Sequence, residues 1–276
     1  MMTASPPSIA RARSVVLATV FPARFPTVLA TLLAGGLAAG CAGGAPAAAP
    51  RAAGPAIDPA TAGAITGTVR LDGTPPAAQM IRMDGDRTCA KLVPGAQRPT
   101  EAYVVGKSGT LANVFVHVTS GLEGRSFPVP EAPVVLDQHE CWYAPRVVGV
   151  RVGQPFQVLN SDPLLHNVRA SAEVNEPFNQ GQPVQGVRYS HTFSTEEVMV
   201  PFKCDVHAWM NAWVGVVSHP YFAVTGPDGA FSLPNLPPGT YTVAAWHEAA
   251  GTLTGTATVT ALGTATLALT FTVPAA

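Results

Sequence analysis

The sequence predicts an all-β protein with room for two small domains. Of its 276 residues, 26 are glycine and 27 are proline, which suits short strands joined by turns better than packed helices. Apolar and polar residues alternate with a period of two in several segments, as they do in strands that bury one face. No segment has the apolar spacing of an amphipathic helix.

The alternation can be followed along the chain. In ITGTVRL, the apolar residues Ile65, Val69 and Leu71 alternate with polar ones, and Asp72-Gly73 marks a turn. Residues 80–110 have no regular pattern. Further strands are predicted at 114–118, 148–152, 156–160, 198–202, 214–217, 231–233, 240–245 and 266–273.

Charge and motifs argue against several classes of function. The net charge of −1 offers no basic surface for nucleic acid. The sequence contains no Gly-rich phosphate loop, HExxH, Gly-x-Ser-x-Gly or Cys-x-x-Cys-His. We therefore expect neither an enzyme nor a protein with a small-molecule substrate.

The N-terminus has the features of an export signal. Three arginines precede an apolar stretch at 27–39, which is too short to span a bilayer because that needs about 20 apolar residues. The following Leu37-Ala38-Ala39-Gly40-Cys41 resembles the lipobox of bacterial lipoproteins, although Ala38 stands where that pattern usually has leucine. The resemblance implies a signal peptide at 1–40 and acylation of Cys41. An ordinary signal peptide followed by an unrelated cysteine is the alternative.

Residues 41–62 consist almost entirely of alanine, glycine and proline, and they predict a flexible tether. The resulting expectation is an exported protein attached to a bacterial membrane by its N-terminal lipid alone. It would face the periplasm or the extracellular side.

The remaining cysteines are Cys89, Cys141 and Cys204, an odd number. In an oxidising compartment this suggests one disulfide and one cysteine with another purpose. Cys204 has a histidine and a methionine close by, so Cys89–Cys141 is the favoured pair. The other pairings stay open from sequence, but they would make Cys204 unavailable to a metal.

One short segment carries three candidate metal ligands. Cys204, His207 and Met210 lie within seven residues between two predicted strands, so they belong to one loop. His166, 38 residues before Cys204 and just after a predicted strand, is the best candidate for the fourth ligand. A thiolate and two imidazoles with a distant thioether form the donor set of blue copper sites. The sequence therefore predicts one type 1 copper ion, whereas zinc sites rarely use methionine.

This pattern resembles the cupredoxins. Cys-x2-His-x2-Met at 204–210 matches a short form of their ligand loop, and Tyr143-Ala-Pro145, Asn160-Ser-Asp162 and His166-Asn167 follow the order of the plastocyanin-like pattern. The resemblance covers about residues 135–217.

The cupredoxin resemblance implies a Greek-key sandwich or barrel. Its copper ligands would be His166, Cys204, His207 and Met210. It also implies that Asn167 ties the two ligand loops together and hydrogen-bonds the sulfur.

The C-terminal segment AVTGPDGAFSLPNLPPGTYTVAAWHE resembles the carboxypeptidase regulatory-like (transthyretin-like) module, a small Ig-like β-sandwich without catalytic residues. We therefore predict a cupredoxin domain at 63–218, with extra N-terminal strands and a core at 135–217, followed by this sandwich at 219–276. TGTVRLDGTPP at 66–76 resembles the first strand of the same module. The alternative is thus a split sandwich, completed by strand 65–71, with the cupredoxin inserted into it.

The other histidines are predicted to be structural, because a single histidine on a strand usually is. This applies to His117, His139, His191 and His219. For His247, beside Glu248, a surface or packing role is favoured, and docking of a redox partner is the alternative.

The function implied by these expectations is transfer of single electrons between protein partners that dock transiently. The electron would pass through an exposed edge of one ligand imidazole, with His207 favoured. The alternative is a cell-surface protein that binds or delivers copper without a redox circuit.

Overall fold

A computed structural model describes residues 56–274. The predicted signal peptide at 1–40, the predicted lipidation site Cys41 and most of the predicted tether at 41–62 lie outside the described residues. Within 56–274, no helix is long and apolar enough to cross a membrane. Regular structure is almost entirely β-strand, which confirms the all-β fold class.

The described part of the chain forms eighteen strands and one α-helix besides two short 3-10 turns. The first elements are β1 (Gly63–Asp72), β2 (Met80–Arg82), α1 (Arg87–Leu92), β3 (Gln97–Pro99), β4 (Phe115–Ser120), β5 (Val134–His139), β6 (Trp142–Ala144), β7 (Val147–Arg151), β8 (Pro155–Asn160) and β9 (His166–Ala170). The others are β10 (Phe178–Gln182), β11 (Arg188–Thr192), β12 (Glu197–Lys203), β13 (Asn211–Val217), β14 (Phe222–Val224), β15 (Ala230–Leu236), β16 (Gly239–His247), β17 (Gly251–Val259) and β18 (Thr264–Thr272).

Strands from both ends of the described chain form one pair of sheets, which we call the split sandwich. Their strand orders are β15-β1-β18 and β14-β4-β16-β17. Strand β1 lies between β15, to which it is antiparallel, and β18, to which it is parallel. The strand at 65–71 therefore pairs with C-terminal strands, and β4 likewise pairs with β14 and β16.

The core of the split sandwich follows the alternation seen in the sequence. Every second residue points inwards, and most of the residues between are half-buried or exposed, with Ala244 an exception. The buried set includes Ile65, Val69, Leu71, Val116, Val118, Leu233, Tyr241, Val243, Leu269 and Phe271.

The segment between β4 and β14 forms the central sandwich. Its sheets have the strand orders β10-β9-β12-β13-β7 and β11-β8-β5-β6. They enclose a separate apolar core that includes Leu136, Val150, Phe156, Val158, Val168, Phe193, Val200, Phe202, Val214 and Val216. Cys204 and Met210 belong to this same core, so both lie among apolar side chains.

The region at 80–110, which has no regular sequence pattern, contains the only α-helix of the described residues. Strands β2 and β3 pair with each other and flank α1, and we call Met80–Pro99 the cap segment. A disulfide joins Cys89 on α1 to Cys141 of the central sandwich, as the cysteine count predicted. Cys204 is free and buried.

A small apolar cluster joins the two sandwiches. Phe115, Val147 and Val217 are buried together, and Trp213 packs against them. Gly215 faces the Phe115 ring, and a Cβ atom at this position would lie 2.5 Å from a ring carbon. This close approach requires glycine.

An ion pair lies beside this cluster. Arg146 donates from Nε and from a terminal nitrogen to the two carboxylate oxygens of Glu248, at 2.7 and 2.8 Å. The two side chains are only 9% and 12% exposed. Trp213 Nε1 also donates to Glu248, at 3.1 Å. Glu248 thus connects the end of the split sandwich to two residues of the central sandwich.

We expect Glu248→Ala to destabilise the protein by about 3 kcal/mol, because it leaves the buried Arg146 charge without a partner. Urea unfolding measures this change. The control is Asp84→Ala, which breaks a solvent-exposed ion pair with Arg82 and should change the midpoint little. Equal shifts in both variants would contradict a structural role for the Glu248 pair.

Candidate metal centre

Strand pairing brings the two candidate ligand loops to the same end of the central sandwich. His166 begins β9, and the loop Cys204–Met210 connects β12 to β13. Strand β9 pairs with the end of β12, where Arg169 stands opposite Lys203. The start of β9 and the end of β12 lie at the same end of the sheet, so His166 comes next to the Cys204–Met210 loop.

The Cys204–Met210 loop is held in a tight turn. Met210 N–H donates to His207 O at 2.9 Å, and Cys204 N–H donates to Met210 O at 3.3 Å. This backbone pattern closes the loop and turns the three candidate ligands towards one another.

Three of the predicted ligands converge. His166 Nδ1 and His207 Nδ1 are 3.1 Å apart, and Cys204 Sγ is 3.8 Å from His207 Nδ1. Candidate donor atoms of all three residues lie within 4.8 Å of one another. The three residues are at most 2% exposed. Two imidazole nitrogens and a sulfur therefore face a common point that water does not reach from the surface.

Met210, the predicted fourth ligand, is fully buried in the same core as Cys204. Its backbone forms hydrogen bonds with the backbones of both Cys204 and His207. Its role as an axial ligand stays a prediction.

Asn167 connects the two loops. Its backbone N–H donates to Cys204 Sγ at 3.4 Å, and its side-chain oxygen accepts from Asp205 N–H at 3.1 Å. Its side-chain nitrogen also bonds Asn179 Oδ1. A sulfur that accepts a backbone N–H is stabilised as a thiolate.

From the sequence, Asp162 is named only within a family pattern and is given no role. This residue is 1% exposed and lies 2.9 Å from His166 Nε2. Asp162 also accepts the backbone N–H groups of Glu140 and Cys141, at 2.8 and 2.7 Å. A carboxylate at Nε2 accepts the proton of that nitrogen, so Nδ1 is the nitrogen that faces the Cys204 sulfur and that would bind a metal. The signal was available, because an acidic residue lies four positions before the histidine.

From the sequence, Tyr143 is named only within the plastocyanin-like pattern and is given no role. Its buried hydroxyl lies 3.0 Å from Asn167 O and 3.2 Å from Lys203 O. It thereby links the residue after His166 to the residue before Cys204. Burial raises the pKa of Tyr143, so the hydroxyl keeps its proton and acts as a donor.

The surroundings favour an ionised sulfur. Burial by itself would raise the pKa of Cys204, but hydrogen bonds from His166 and His207 outweigh burial and lower the pKa to about 6. Burial likewise opposes the charge on Asp162, yet hydrogen bonds from His166, Cys141 and Glu140 lower the pKa of this carboxyl. The centre therefore holds a thiolate at neutral pH, the form that binds metals.

The prediction of an exposed His207 edge is wrong. His207 is 2% exposed, and its Nε2 lies 3.5 Å from Cys89 Sγ and 3.5 Å from Asp86 Oδ2 of the cap segment. The Trp209 ring packs on the imidazole at a centroid distance of 5.1 Å. The sequence could not reveal this cover, because the cap segment lies more than 100 residues before His207.

The other buried histidines lie away from this centre. His219 donates from Nε2 to Val118 O at 2.8 Å and accepts Tyr221 N–H at Nδ1. His247 is 1% exposed and stacks on Tyr103. Burial lowers the pKa of each to about 4, so both are neutral. A packing role for His247 agrees with its burial, and a docking role does not.

No protein-family model matches the chain, and no curated protein matches it. Solved structures that match part of it include a Cu-containing nitrite reductase (NirK) from Thermus scotoductus SA-01, with 20% identity and a TM-score of 0.29 over 36% of this chain and 25% of that one. A mutant of amicyanin in its Cu(I) form matches with 24% identity and a TM-score of 0.28, over 32% and 85%. A purple cupredoxin from Nitrosopumilus maritimus matches with 22% identity and a TM-score of 0.27, over 31% and 99%.

The chain thus spans about a quarter of the length of that nitrite reductase. TM-scores this low do not establish a common fold. The interpretation of the centre therefore depends on its own residues and geometry.

The metal-free protein is expected to show a thiolate at neutral pH. The ultraviolet absorbance of the Cys204 thiolate should rise as the pH passes about 6, well below the value of about 8.5 for ordinary cysteine. Cys204→Ser should lack this step, since Cys89 and Cys141 form a disulfide and do not titrate. A thiol that titrates like free cysteine would contradict the described hydrogen bonding.

Proposed function

We propose that this protein is a type 1 copper protein that carries single electrons between redox partners. The proposal depends on one observation: one nitrogen from each of two buried imidazoles and one buried cysteine sulfur lie within 4.8 Å of one another. One cysteine and two histidines, with a methionine at a longer distance, are the ligands of blue copper sites. His166, Cys204, His207 and Met210 would hold the metal.

The donor set fits copper better than zinc. Imidazoles bind copper in both oxidation states, whereas thiolate and thioether ligands favour Cu(I). A bound copper ion supplies a centre that gains or loses one electron. The surrounding residues exclude water, fix both imidazole rings and donate the Asn167 N–H to the sulfur.

The same residues favour an electron carrier over an enzyme. Four protein ligands in a buried site leave no open position for a substrate. Redox partners would dock briefly, through small interfaces. We further propose that the protein is exported and attached to a bacterial membrane by acylated Cys41, with residues 41–62 as a flexible tether.

The visible spectrum of soluble protein from Ala42 onward, loaded with Cu(II), tests the proposal. We expect an intense blue band from charge transfer between the Cys204 thiolate and copper. Cys204→Ser should abolish the band, whereas the control His191→Gln, on β11 and outside both ligand loops, should keep it. A pale spectrum, or tightly bound zinc instead of copper, would overturn the electron-transfer proposal.

Delivery of copper to other proteins is the alternative function, and the burial of the ligands disfavours it. Because the Cys204–Met210 loop is closed by backbone hydrogen bonds and tied to Asn167, we expect the protein to keep Cu(I) when mixed with a weak chelator. Absorbance of the chelator complex over time measures the transfer. Rapid and complete transfer would favour delivery over electron transfer.

A further inference from the structure

The cap segment Met80–Pro99 covers the candidate metal centre. It is attached to the central sandwich by the Cys89–Cys141 disulfide and by an ion pair between Arg98 and Glu140 at 3.0 Å. Met83 and Cys89 of the cap are fully buried, in a cluster against which Trp209 packs. The cap is therefore a packed part of the molecule, close to the ligand loop.

One carboxylate of the cap is directed at His207. Asp86 precedes α1 as its N-cap, and its Oδ1 accepts the N–H groups of Thr88 and Cys89, at 2.7 and 3.0 Å. The other oxygen, Oδ2, lies 3.5 Å from His207 Nε2. Because one oxygen is fixed by two backbone donors, the other is held in place next to the imidazole.

The disulfide links this contact to the one at the second imidazole. Cys89 N–H binds Asp86, and Cys141 N–H binds Asp162 at 2.7 Å. Asp162 in turn lies 2.9 Å from His166 Nε2. Each half of the disulfide thus orients one carboxylate, and each carboxylate faces the Nε2 atom of a different candidate ligand.

We propose that Asp86, held by the N-terminus of α1 and by the disulfide, is a positioning residue for His207. It accepts the Nε2 proton and so keeps the Nδ1 lone pair directed at the metal. The inference rests on the proposed metal centre, although the tautomer it concerns exists without metal. Residues outside the central sandwich then complete the site, and the cap closes the His207 edge.

The chemistry of the imidazole explains why an acceptor matters. A neutral histidine carries its proton on either nitrogen, and the hydrogen bond made by one nitrogen decides which is free. Cys89 Sγ also lies 3.5 Å from His207 Nε2, but sulfur is a weak acceptor. Without the Asp86 carboxylate, part of the population therefore carries the proton on Nδ1 and cannot bind a metal there. Removal of a residue that orients a ligating histidine typically weakens metal binding about 10–100-fold.

The test compares Asp86→Asn with Asp84→Asn in the full-length protein. Asparagine is as good an N-cap as aspartate, so α1 is retained, but its amide then presents a donor to His207 Nε2. Asp84 lies two residues away, is more than half exposed and pairs with Arg82, so its variant removes the same charge without touching His207.

Two measurements decide the outcome. In competition with a colour-forming Cu(I) chelator, Asp86→Asn should bind Cu(I) about 10–100-fold more weakly than wild type, and Asp84→Asn should equal wild type. Nitrogen NMR of the metal-free protein should show His207 protonated at Nε2 in wild type and in Asp84→Asn. In Asp86→Asn it should show a mixture of tautomers.

Unchanged affinity and unchanged tautomer in Asp86→Asn would overturn the proposal. If wild type binds no Cu(I), the proposed function fails, and the NMR comparison alone then decides the role of Asp86. If Asp86→Asn does not fold, Asp86→Ser replaces it, because serine also caps helices and is too short to reach His207. The same two results are expected of that variant.

Discussion

The Cys204 sulfur lies in an apolar core and is ionised at neutral pH. A buried charge is unfavourable by several kcal/mol unless nearby groups compensate it. Here three groups compensate the charge. The Asn167 N–H donates a hydrogen bond to the sulfur, and the imidazoles of His166 and His207 also face it. The arrangement of the centre follows from this requirement, since each group that faces the sulfur is held by a partner of its own.

Those partners differ for the two histidines. His166 lies deep in the central sandwich, and its partner, Asp162, comes from the same domain only four residues earlier. His207 lies at the rim, where the central sandwich supplies no carboxylate, and the acidic side chain beside it comes from the cap segment. A covalent bond is well suited to hold such a cap, because a segment with a six-residue helix and few buried side chains has little packing energy of its own.

The split sandwich supports the strand that follows the ligand loop. Strand β13, which follows the ligand loop, packs through Gly215 and Val217 against Phe115. Trp213 of β13 donates a hydrogen bond to Glu248, which also forms an ion pair with Arg146, the residue before β7. The strand that ends the ligand loop is thereby fixed by Phe115 and Glu248, which come before and after the central sandwich in the chain.

From the amino-acid sequence we could predict the all-β class, most strands with clear alternation and the candidate ligands that meet at the centre, and could favour the Cys89–Cys141 pair over the other pairings. These features are local, or they follow from a count: alternation has a period of two, and Cys204, His207 and Met210 lie on one loop. Tertiary packing determines that β1 and β4 pair with C-terminal strands, that His207 is covered and that Asp86 lies beside it. Such contacts join residues about 100 or more positions apart. Apart from the resemblance of 66–76 to the first strand of the C-terminal module, no sequence pattern records them, because they arise from packing between segments that are distant in the chain.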